Sequence, residues 1–245
     1  MNRFFVTILA ACSLQFAFAQ NSQGKIIYER TTDMHKRLPP ENENMKSMIP
    51  QFSTFKMQLA FSGEQSLFTS MEQNDDIRDQ AGQDGQRMVI RMNAGNDQVY
   101  KDYAAGKVTE LRELGPKKYL VEDSIRKLAW KLTEDTMTIK GFHCKKAQTK
   151  NRQGDNVVAW YTEEIPCPSG PDQFGGLPGL ILQVDLGDGW MVSKAVEIST
   201  QPSGMVVKAP EGGKKITREE FQKMRDEAFG PSNGGPQIRI VTRTN

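Results

Sequence analysis

The chain has 245 residues, with 32 Lys plus Arg against 30 Asp plus Glu, 37% hydrophobic residues and 25% charged ones. That length holds one large domain or two small ones, and the composition belongs to a folded globular chain and not to a disordered one. The near balance of charge gives no electrostatic reason to expect nucleic acid, which calls for a basic patch or stripe.

Residues 1–19 read as a secretory signal. Arg3 is their only charge, the run from Phe4 to Phe18 is mostly apolar, and Ala17-Phe18-Ala19 fits the small-x-small pattern of cleavage before Gln20. A rival reading takes Leu9-Ala10-Ala11-Cys12 as a lipobox with Cys12 lipidated. No later stretch reaches the ~18 apolar residues of a membrane span. Residues 20–245 are expected to form one domain.

That domain opens with a short strand over Lys25–Arg30. Residues 33–51, with Pro39-Pro40, read as an exposed excursion with a helical turn around Met45 to Met48. Phe55, Met57 and Leu59 alternate with polar partners and predict a strand over 54–61. Residues 66–70 predict another. The polar stretch from Gln73 to Gln86 reads as a loop or insertion. Short apolar runs at 88–92, 98–101 and 107–111, separated by Asn, Gly and Asp, give the rhythm of an antiparallel β-domain.

The second half alternates more strictly. Leu128, Trp130 and Leu132 form one set, Met137 and Ile139 another, and Val158 with Trp160 opposes Ala159 with Tyr161. Leu180, Leu182, Val184 and Leu186 are expected on one face, with Gln183 and Asp185 on the other. A Gly187-Asp188-Gly189 turn leads into Trp190–Val192 and Ala195–Ile198. Such alternation marks strands with one buried and one wet face. One helix is predicted over 216–229: Thr217 and Glu220 form a capping box, Phe221, Met224, Ala228 and Phe229 recur at helical spacing, and Gly230-Pro231 stops it. Residues 230–245 read as a tail with a last edge strand near Ile238–Val241. The fold class expected is mainly β, one antiparallel and strongly curved sheet with a C-terminal helix.

Catalytic motifs are missing. There is no His-Glu-x-x-His, no Gly-x-Ser-x-Gly and no phosphate-binding Gly-x₄-Gly-Lys-Ser/Thr. The two histidines, His35 and His143, lie far apart. His143 adjoins Cys144, but neighbours on a strand point to opposite faces. Glu163-Glu164 reads as a solvated strand end, and Asp185 and Asp188 as turn residues. Cys144 and Cys167, the pair left after signal removal, predict a disulfide in an exported chain, with two buried free thiols as the alternative. His35 with Met34, Met45, Met48 and Met57 offers a copper-type ligand set, against the plain reading of core methionines and a loop histidine. Trp130, Trp160, Tyr161 and Trp190 read as core residues, or else as the lining of an apolar groove. No cofactor is expected.

Phe174–Val184, FGGLPGLILQV, places glycines before an apolar strand and offers no Lys, Arg, Ser or Thr to meet a phosphate. Leu177-Pro178-Gly179-Leu180 fits a type II turn, with glycine at the position of positive φ. The stretch reads as a corner feeding a buried strand.

Gly176, Leu177, Pro178, Gly179, Leu180 and Ile181 spell GLPGLI. With Gly24–Tyr28, Ser66-Leu67-Phe68, Lys140–Ala147, Ala159–Thr162, Ile165-Pro166 and Gly170-Pro171, the chain resembles the GLPGLI family of Bacteroidota envelope proteins. The resemblance spans nearly the whole chain after the signal. It implies an exported, single-domain β-rich protein, in the periplasm or at the outer membrane, and no mechanism. By analogy the sheet is expected to look like that of lipoprotein-carrier domains. The function expected is non-enzymatic binding of an apolar ligand or a protein partner. The alternatives are a periplasmic metal binder built on His35 and a hydrolase that brings distant carboxylates together.

Overall fold

β-Branched and aromatic residues at two-residue spacing favour strands, and strands dominate the molecule. The computed structural model describes residues 23–38, 40–47, 49–71, 76–81, 87–92, 97–200, 206–229 and 239–243. In chain order these form β1 (Gln23–Asp33), a 3-10 turn (Pro40–Ser47), β2 (Phe52–Ser62), β3 (Gln65–Ser70), β4 (Asp76–Ala81), β5 (Arg87–Met92), β6 (Gln98–Asp102), β7 (Lys107–Leu114) and β8 (Lys117–Ser124). There follow β9 (Lys131–Ile139), β10 (Phe142–Lys150), β11 (Asn156–Thr162), β12 (Leu180–Leu186), β13 (Met191–Ser199), β14 (Lys214–Ile216), α1 (Arg218–Phe229) and β15 (Arg239–Arg243). Of β4, β5 and β15 the backbone alone is described. The signal-like residues 1–19 with Cys12, together with Met48 and the tail stretch Gly234–Pro236, lie outside the described residues.

Twelve strands make one sheet in the order β14-β8-β7-β6-β3-β2-β1-β13-β12-β11-β10-β9, and β15-β5-β4 make a second. The β14–β8 pair is parallel and the other pairs are antiparallel. The expected mainly antiparallel β architecture with a late helix is therefore present. The strongly curved, carrier-like sheet is not. The sheet is neither closed nor strongly curled, and among the described residues its order ends at β14 and β9. Curling is one way to bury a sheet's apolar face. Here the chain lays residues 163–179, the connection from β11 to β12, over that face instead.

Strand β4 falls inside the stretch read as a loop, and β8, β10 and β14 go beyond the elements that periodicity predicts. Tyr119, Leu120 and Val121 of β8 are buried consecutively, so the strand carries no alternation to detect.

The register fixes which side chains meet, because directly opposed residues on antiparallel strands point to the same face. Tyr28 opposes Met57, and Ile26 opposes Leu59. Leu59 opposes Phe68, and Phe61 opposes Ser66. Ser66 opposes Lys101, and Phe68 opposes Val99. Val99 opposes Glu110, and Lys101 opposes Val108. One face thus runs from Ile26, Tyr28 and Arg30 through Ser66 and Phe68 to Lys101, Glu110 and Arg112. Ile26, Tyr28, Leu59 and Phe61 are fully buried on it, and each such aliphatic or aromatic side chain contributes roughly 1.5–3 kcal/mol through burial.

β12 departs from the expected single face. Trp160 opposes Gln183 but Tyr161 opposes Ile181, so Leu182 is an extra residue. The bulge flips the alternation. Leu180 and Leu182 join the cluster around Tyr28 and Phe68, whereas Ile181, Val184 and Leu186 join a second one with Tyr161 and Phe174.

α1 begins as its capping box requires. The Thr217 amide donates to Glu220 Oε2 at 2.8 Å, and the Glu220 amide donates to Thr217 Oγ1 at 3.1 Å. Phe221 meets Tyr119 of β8 edge-on, with centroids 6.0 Å apart. No helix among the described residues is long and apolar enough to cross a membrane.

Candidate functional site

The connection 163–179 is rich in Pro and Gly and has no helical or alternating pattern, so the sheet face must hold it. Polar side chains along one line of that face do so. Arg30 on β1 pairs with Asp172 at 2.5 Å and lies over the Phe68 ring, 5.2 Å from its centroid. Just past the connection, Tyr28 Oη donates to the carbonyl of Ile181 on β12 at 2.6 Å. Ser66 Oγ on β3 and Ser169 Oγ share a buried hydrogen bond of 2.7 Å. Trp130 Nε1 donates to the Gly175 carbonyl at 2.9 Å. The loop also ties to itself: the Leu180 amide donates to Ile165 O, and the Gly176 amide to Pro168 O.

Lys101 on β6 is the centre of this clamp. Its side chain is 2% exposed, and Nζ donates to Gly170 O at 3.1 Å and Phe174 O at 2.5 Å. Burial lowers its pKa to about 8, against the opposing pull of Asp172, Cys167 and Glu110. Beside it the Tyr103 hydroxyl is buried near Ser169 with no hydrogen bond of ordinary geometry, and burial raises its pKa strongly.

Next to the clamp, Glu110 on β7 is 1% exposed and receives Arg218 Nη2 of α1 and Arg112 Nη2, both at 2.8 Å. Burial pushes its carboxyl up, but the two guanidinium groups outweigh that and hold it below the ordinary range. Arg218 Nε also reaches Asp123 on β8 at 2.6 Å. This network seats the start of α1 on the sheet. Where β6, β7, the end of β8, the β10–β11 turn, the clamp loop and α1 converge, they leave a recess of about 20 Å³, room for about one water. Lys101, Glu110, Asp123, Arg126, Arg152, Gln173 and Arg218 border it together with Ser124 and the apolar Val108 and Ile125.

The residues singled out from the sequence fall elsewhere. Cys144 and Cys167 are both buried free thiols, so the predicted disulfide is absent. Cys144 Sγ donates to Phe142 O at 3.6 Å, while Cys167 faces the side of Lys101 and Tyr103. Each sulfur has its own partners, and burial pushes both thiols up to about 11. Export permits a bond between two cysteines without dictating one, which is why the count misled.

His35 Nε2 sits 2.9 Å from Ile49 O, and its amide donates to Asp33 Oδ1. Met34 is buried, Met57 lies in the core of β2, and Met45 is in the 3-10 turn. Among the described residues no group of three or more His, Cys, Asp and Glu is placed to hold a metal ion. The His143 amide donates to Glu164 Oε1, and Glu163 pairs with Lys145 at 2.9 Å, an exposed strand end as expected. Asp185 Oδ1 accepts from the Gly189 amide within its turn. Trp190 stacks under Arg37, 3.7 Å from the guanidinium carbon, and Lys146 lies over Trp160.

The GLPGLI stretch is a corner, but of another kind. The Gly179 amide donates to Leu177 O at 2.8 Å, a γ-type turn centred on Pro178. Glycine is needed at 179 for space: a Cβ there would lie 2.0 Å from Thr162 O. At Gly175 a Cβ would lie 2.3 Å from Tyr103 Oη. The buried Lys101 and Glu110 carried no motif. Their signal in the sequence was a charge in the same alternating row as Val99 on β6 and Val108 on β7.

A family model described as a protein of unknown function (Porph_ging) matches residues 148–183, the stretch from late β10 through the clamp loop into β12. No curated protein matches the chain. Among solved structures it is similar to PNGF-II in two crystal forms, C2 and P21. The TM-scores are 0.56 and 0.55 at 14% identity, over 85% and 83% of this chain. The chain spans 33% of the length of PNGF-II. An uncharacterized conserved protein from Thermus thermophilus aligns over 81% of this chain and 92% of its own, with a TM-score of 0.42 and 7% identity. At these identities the likeness to PNGF-II is one of fold.

Proposed function

We propose that this is an exported cell-envelope protein of the GLPGLI type that works by binding a protein partner and not by catalysis. The observation that carries this reading is the sheet face closed by its own loop. Lys101, Ser66, Arg30 and Trp130 hold residues 163–179 down on it, and the recess left beside the loop is about 20 Å³. Ligand sites for drug-sized or lipid-like molecules enclose several hundred Å³. The potential nucleophiles support the same reading. Ser66, Ser169, Cys144 and Cys167 are fully buried, and the thiols are held protonated at neutral pH.

Native mass spectrometry of protein drawn from its own envelope, with photo-crosslinking from surface positions around the recess, tests this. The expected result is a polypeptide with no retained lipid-sized mass and a defined cross-linked partner. A stoichiometric apolar ligand overturns it.

A further inference from the structure

The geometry points to a carboxylate-binding site in the recess beside the clamp, one that takes an acidic side chain of a partner protein. This rests on the reading of the protein as a binding module and names the chemistry its partner must carry. Four cations, Lys101, Arg126, Arg152 and Arg218, border the recess against two carboxylates, Glu110 and Asp123. The two carboxylates are already answered, Glu110 by Arg112 and Arg218, and Asp123 by Arg218. The excess of charge is therefore positive.

The cations differ in what they have left to give. Arg218 gives Nε to Asp123 and Nη2 to Glu110, so its charge is already shared between two carboxylates. Arg126 and Arg152 are exposed and make no hydrogen bond or ion pair among the described residues, though Arg152 stands near Asp123. Lys101 is buried, gives two of its three protons to carbonyls, and has no carboxylate within ion-pair distance among the described residues. A buried ammonium without a counter-ion favours any anion that reaches the recess.

Size and shape select the anion. Room for about one water admits the tip of a carboxylate. A planar carboxylate also matches the fork of a guanidinium in bidentate fashion, and two free forks flank the opening. The exposed amide of Gln173, carried on the clamp loop, stands at the rim as a further donor.

The full chain after signal removal is titrated with sodium acetate, inorganic phosphate and a triglutamate peptide amide, and the backbone amides of Gln173 and Ser124 are followed by NMR. The same titrations are run on an Arg126→Gln/Arg152→Gln double variant, both positions being exposed. Saturable shifts with acetate and peptide, weakened at least tenfold in the variant, support the site. Saturation by acetate without the peptide keeps the carboxylate site but overturns the acidic partner. Equal titration of both proteins, no saturation, or saturation by phosphate alone overturns the proposal. None of these outcomes touches the cross-linking test of the binding module.

Discussion

Replacing Lys101 by methionine keeps the apolar stem and removes the amine that clamps the loop. Two effects oppose each other. The carbonyls of Gly170 and Phe174 lose their donor, at about 1–3 kcal/mol for each group left unsatisfied. Against this, the variant no longer buries a charge. A folded pKa of about 8 against 10.5 corresponds to about 3 kcal/mol of destabilisation while the amine is protonated. At pH 7 the net change runs from a gain of about 1 to a loss of about 3 kcal/mol. The sign with pH is sharper. Between pH 8 and 10.5 the unfolded chain holds a proton that the folded chain has released, so Lys101 adds stability as pH rises. That gain is complete above 10.5 and is lost as pH falls through 8. The neutral amine still has two protons for two carbonyls, so the clamp survives. Urea unfolding at pH 7, 8, 9 and 10, followed by tryptophan fluorescence, should therefore show the gap between wild type and Lys101→Met widening by about 2–3 kcal/mol. A constant or narrowing gap refutes the account of Lys101 as a buried, uncompensated cation.

The two thiols act in the opposite direction. Their folded pKa of about 11 exceeds 9.0, so the stability they contribute is full below pH 9 and lost as pH rises towards 11, and Cys167→Ala should flatten that loss in the same unfolding series. Iodoacetamide should label Cys144 and Cys167 only after denaturation, with no dependence on added reductant; mass mapping that finds them linked refutes the free-thiol assignment. Arg218→Ala leaves Glu110 with Arg112 alone and should cost roughly 2–4 kcal/mol, with faster hydrogen exchange across α1 than across β12. Gly175→Ala drives a methyl against Tyr103 Oη and should cost more than about 2 kcal/mol by overpacking. Gly176→Ala meets no atom within 4 Å at φ +81° and should cost about 1 kcal/mol from backbone strain alone. Equal losses at the two glycines, read by thermal unfolding, would show that space at Gly175 is not the constraint.

Local patterns were enough for most strands and for α1. The alternation of Phe55, Met57 and Leu59, the capping pair Thr217 and Glu220, and the glycines that turn the chain before β12 each act over a few residues, and the structure contains each. β8 escaped because burial on both faces erases alternation, and β12 was half misread because one bulged residue, Leu182, exchanges the faces that follow it.

The site was beyond the reach of local pattern. Arg30 meets Asp172 across 142 residues of chain, Ser66 meets Ser169 across 103, and Arg218 meets Glu110 across 108. Cys144 and Cys167 are close in sequence and share one core cluster, yet both are free thiols. Residue types and their periods determine which segments become strands, because backbone sterics and burial act on neighbours. Strand order and register determine which charges face one another, and they are settled only when the whole sheet pairs. The tertiary structure alone therefore decided that a buried lysine holds the loop and that two exposed arginines flank the recess beside it.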